Sequence, residues 1–154
     1  MVAIAMRILL VIAGIGVGPR VSEWDCARAS VPSLVGTFLV LSLLGTAVVT
    51  GLAAVVRGGR ARAAPWMLPS WRARPLFGEP LQFFHAMGWY FLAAAASAAI
   101  VALRGTEPCL QGAVMAGGLG VGLLAGCHMF VHLSPRNFRT QPAADATRRA
   151  REDR

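Results

Sequence analysis

The 154-residue chain has no lysine, one tyrosine and seven acidic residues, and only 14% of its side chains are charged. Soluble domains carry about 25% charged residues, so this shortage speaks against a water-exposed globule. Without lysine there is no phosphate-binding loop of the G-x-x-x-x-G-K-[ST] form, and Gly117-Gly118-Leu119-Gly120 lies inside an apolar run, where it reads as packing. None of the long apolar runs contains Asp or Glu, which excludes the intramembrane carboxylate expected of an ion-driven pump or transporter. The three cysteines, Cys26, Cys109 and Cys127, form no Cys-x-x-Cys pair through which a disulfide-generating enzyme would pass electrons. The serines have no His and acid companions at a shared depth, so nucleophilic hydrolysis has no support. No catalytic residue is assigned.

What is present is apolar. Hydrophobic residues make up 56% of the chain, and a helix needs roughly 20 residues to cross a hydrocarbon core of about 30 Å. Four runs approach or reach that length: 2–18, interrupted by Arg7; 32–56, flanked by Arg28 and Arg57; 81–103, opened by Glu79-Pro80; and 110–133, stopped by Ser134-Pro135-Arg136. The expectation is an all-α membrane protein, a bundle of four transmembrane helices occupying residues 1–136. Residues 137–154 are polar and rich in arginine, and read as a disordered basic tail.

All fifteen basic residues are arginine, and the formal net charge is +8. The arginines lie between apolar runs rather than along one face, which fits a membrane surface and demotes nucleic acid as a partner. Arg57, Arg60, Arg62, Arg72 and Arg74 lie between the second and third runs and six more follow the fourth, whereas the other two connections carry only Arg20, Arg28 and Arg104. By the positive-inside rule both termini face the cytoplasm of a bacterial cell. Trp66 and Trp71, beside Arg72 and Arg74, read as a segment on the inner leaflet.

This orientation places Cys26 and Cys109 together on the oxidising outer side, where a disulfide between them is expected; Cys127, within the bilayer, is expected to be inert. The first run has two readings. Either it is a retained helix whose Arg7 snorkels to the inner headgroups, or it is a signal peptide with Arg7 in its basic region; the ten or so residues separating it from the small-x-small triplet Ala27-Arg28-Ala29 favour retention.

Small residues recur at four-residue spacing: Gly14 and Gly18; Ala94, Ala98 and Ala102; Gly118, Gly122 and Gly126. Such stripes let helix backbones approach closely in lipid, and they make the fourth helix the expected centre of the bundle. The histidines also cluster in depth. His128 and His132 are one turn apart on one helix face, and His85 lies about 9 Å into the third run from the same side. Ordinary interfacial histidines are the preferred reading. The alternatives are a membrane redox protein in which His85, His128 and His132 ligate haem b or a transition metal, and a proton- or quinone-binding role. With so little mass outside the bilayer, the chain is expected to be an interaction or accessory component, partnered by lipid and by another membrane protein or itself.

Overall fold

The computed structural model describes residues 2–22, 30–59, 69, 71, 80–105 and 110–133. They form four helices, α1 (Val2–Ser22), α2 (Val31–Gly59), α3 (Pro80–Arg104) and α4 (Gln111–Leu133). All four are long and apolar enough to cross a membrane. The Cys26–Cys109 bridge, Trp66, Arg72, Arg74 and the tail 137–154 lie outside the described residues.

Local signals explain the helix boundaries. Ser30 caps α2, its hydroxyl facing the Ser33 N–H at 3.4 Å while its carbonyl accepts from Leu34 at 3.0 Å. Pro80 opens α3 at a first-turn position that needs no N–H donor. The helix closes where the Gly105 N–H reaches the carbonyls of Val101 and Ala102. The sequence places the end of α1 at Gly18, before proline, yet the helix continues through Pro19 to Ser22. Proline leaves the carbonyl four residues upstream without its helical donor, and that carbonyl belongs to Ile15. The Ser97 hydroxyl of α3 donates to it at 2.8 Å. A neighbouring helix thus supplies the missing bond.

The helices pack side by side in the order α2, α4, α3, α1. Within this row α1 runs parallel to α3, with Gly14 against Tyr90 and Ala93 and Gly18 against Ala94, Ser97 and Ala98. Likewise α2 runs parallel to α4, with Phe38 and Leu41 at Gly118, Ser42 at Gly122, and Thr46 and Val49 at Gly126. The central seam is antiparallel: Gly88 of α3 meets Gly120 and Leu124 of α4. In α4, 44% of the span is buried against 17% in α2, so α4 lies inside the row and α2 at its edge. Leu43 and Leu44 of α2 point outward.

Hydrogen bonds reinforce the α2–α4 seam. Ser42 donates to the Gly118 carbonyl and Thr46 to that of Gly122, each at 3.1 Å, while Thr46 also reaches the Ser42 carbonyl at 2.9 Å. Interhelical bonds of this kind contribute about 0.6 kcal/mol each in a bilayer. The bulky core gathers toward one end, where Val49, Ala53, Leu81, Leu123, Cys127 and Phe130 pack with Phe84, Met87 and Phe91. Toward the other end the α1–α3 seam is made of glycine, alanine and serine.

Candidate functional site

A polar cluster lies at the bulky end, between α1 and α3. Arg7 stands seven residues before Gly14 and eleven before Gly18, so all three share the face of α1 that meets α3. Its side chain is 1% exposed. One guanidinium nitrogen, Nη1, donates to His85 Nδ1 at 2.8 Å, and the other, Nη2, donates to Gln82 Oε1 at 2.9 Å. The Trp71 ring centroid lies 6.0 Å from the guanidinium carbon, within cation–π range. Trp71 also packs on Trp89, with ring centroids 5.5 Å apart.

This arrangement corrects the snorkelling reading of Arg7, whose side chain turns inward against α3. Inward burial becomes tolerable because α3 offers two acceptors and Trp71 an aromatic face; a charge leaves water at acceptable cost only where such groups receive it. The partners lie 75 and 78 positions away in the chain, beyond any local pattern. One signal was nonetheless available: a charged residue in register with a glycine stripe is aimed at the neighbouring helix. Gln82 and Trp89 were not singled out from sequence. Gln82, His85 and Trp89 lie three and four residues apart, on one face of α3.

The donor set determines the form of His85. Arginine offers only N–H groups, so Nδ1 must accept, and the proton of a neutral imidazole then resides on Nε2. His85 is 6% exposed, while His128 and His132 are exposed on α4. The inward position on that turn of α4 belongs to Cys127, whose buried thiol reaches toward the Leu81 carbonyl at 3.6 Å. The neighbouring His128 is rotated about 100° away. The structure therefore does not bring the three histidines into one ligand set. No group of three His, Cys, Asp or Glu side chains among the described residues is disposed to hold a metal ion. With Nδ1 engaged by Arg7 and the other two rings turned outward, the three histidines do not converge on one ion.

No protein family, curated protein or solved structure matches this chain. A functional reading therefore rests on the residues and their packing alone.

Proposed function

We propose that the chain is a small multi-pass protein of the bacterial inner membrane that acts as an interaction or accessory component, without catalysis of its own. The observation that carries this reading is the open row of helices. The edge helix α2 packs chiefly on α4, and its outer face shows Val35, Leu39, Val40 and Leu43 together with Gly36 and Gly51, which have no neighbour within 4 Å. A helix of another membrane protein can approach such a face closely. The inner arginines would engage anionic lipid or an acidic partner. The test is a photo-crosslinking residue at Leu43 in native membranes. A discrete adduct with a second protein is the expected result; adducts with lipid alone, or with this chain alone, would refute the accessory role.

In the same reading both termini face the cytoplasm, α1 is retained, and Cys26 is bonded to Cys109 outside. Support comes from the Val21 carbonyl, which sits against Gly112 and so joins the end of α1 to the start of α4, next in sequence to the segments bearing the two cysteines. The bridge would remove denatured-state entropy worth about 3–5 kcal/mol. Peptide mapping without reduction is expected to recover one linked peptide pair together with the peptides flanking Arg7. In intact cells, an impermeant maleimide is expected to reach both thiols only after reduction. Free thiols at both positions, or a mature chain that starts after Ser22, would contradict this arrangement.

A further inference from the structure

Among the described residues, the cluster around Arg7 contains an imbalance between donors and acceptors. His85 Nδ1 accepts from Arg7, so Nε2 carries hydrogen. Facing that Nε2 at 3.4 Å is Trp89 Nε1, which is a donor only. Two N–H groups thus point into one space and neither can satisfy the other. Rotating the imidazole ring by half a turn would put a carbon against the guanidinium, so the conflict is built in. The two rings are set at 74° to one another, with centroids 6.4 Å apart. In an apolar surrounding two unmatched donors are costly, and a single oxygen about 2.9 Å from both would satisfy them together.

We propose that His85 Nε2–H and Trp89 Nε1–H form a two-donor fork that binds the carbonyl oxygen of an amphiphile dissolved in the membrane. The depth favours a carbonyl over a phosphate. His85 and Trp89 lie five and nine residues into α3, a rise of about 8 and 14 Å from its start, below the plane where phosphates are hydrated. A neutral acceptor also avoids moving an anion out of water. A carbonyl oxygen has two lone pairs, one for each donor. His85 is buried and Trp89 is 37% exposed, so a ligand would reach the fork laterally, past Trp89. Arg7, by donating to Nδ1, polarises the ring and strengthens the Nε2 donor. Two sources carry this chemistry, the headgroup of an isoprenoid quinone and the acyl ester of a glycerolipid.

The test uses the full chain, labelled with ¹⁵N at histidine and tryptophan and held in nanodiscs of either ester-linked or ether-linked phospholipid. The His85 shifts must first report a protonated Nε2; a protonated Nδ1 overturns the proposal. A short-tailed benzoquinone is then titrated into the ether-linked bilayers, which contain no other carbonyl. Saturable movement of both N–H resonances supports the fork with a quinone as its ligand. Resonances that differ between ester and ether bilayers but ignore the quinone support it with a lipid ester as the ligand. Resonances that stay unmoved throughout, or that exchange freely with water, overturn it. Trp89→Phe, which keeps the ring and removes one donor, is expected to weaken the response about fivefold. His85→Asn keeps an acceptor near the Nδ1 position, lacks the Nε2 donor, and is expected to weaken it by a similar factor. Full affinity retained in both variants would overturn the proposal.

Discussion

Replacing Gly122 with leucine is expected to part α2 from α4 and to cause a large loss of stability. A Cβ at this position would press on the carbonyl group and Cα of Ser42, and across the seam Gly45 lies against the Gly122 backbone. Neither obstacle is the movable end of a side chain, so relief requires the helices to separate. Separation also weakens the Ser42 and Thr46 hydrogen bonds to α4. Overpacking of ordinary cores costs about 1–3 kcal/mol, and a backbone obstacle puts this case at or above the upper end. Thermal unfolding in mild detergent measures the loss. Gly51→Leu supplies the contrast, because nothing lies within 4 Å of Gly51 and its effect should stay within about 1 kcal/mol. If the two leucine variants unfold alike, the α2–α4 seam is misplaced.

Arg7→Leu is expected to cost about 2–5 kcal/mol, because it removes the guanidinium donors that His85 Nδ1 and Gln82 Oε1 receive inside the bundle. Arg7→Lys should fall between wild type and leucine, since a single ammonium cannot reproduce the two-pronged geometry. The decisive comparison is the triple variant Arg7→Leu, Gln82→Leu, His85→Phe. It removes the acceptors together with the donor and should regain most of the lost stability, as replacement of whole buried polar clusters by apolar groups often does. A triple variant no more stable than Arg7→Leu would show that the cluster contributes through packing rather than through matched hydrogen bonds.

These two variants probe different kinds of information. The glycines of α4 were visible at four-residue spacing, but the spacing does not say which helix each meets: Gly118, Gly122 and Gly126 face α2, while Gly120, on the other side of the same helix, meets α3. Arg7 was equally visible, but its proximity to headgroups suggested an outward course. Its actual partners begin a helix that starts more than seventy residues later. The shared depth of His85, His128 and His132 was legible, whereas their azimuth was not, and azimuth separates them: Cys127 takes the inward place and turns His128 out. Pro19 shows the same limit. The Ile15 carbonyl that it deprives of a helical donor is met by Ser97 of another helix.

The number of helices and their approximate limits were local properties, because a helix in lipid satisfies its own backbone and needs only sufficient apolar length. Lateral order was not local. For helices that lie in hydrocarbon, apolar side chains would gain no net drive from facing one another, and the row α2, α4, α3, α1 is set where backbones touch and polar groups find partners. Those conditions are met between residues far apart in the chain, and only the assembled helices reveal them.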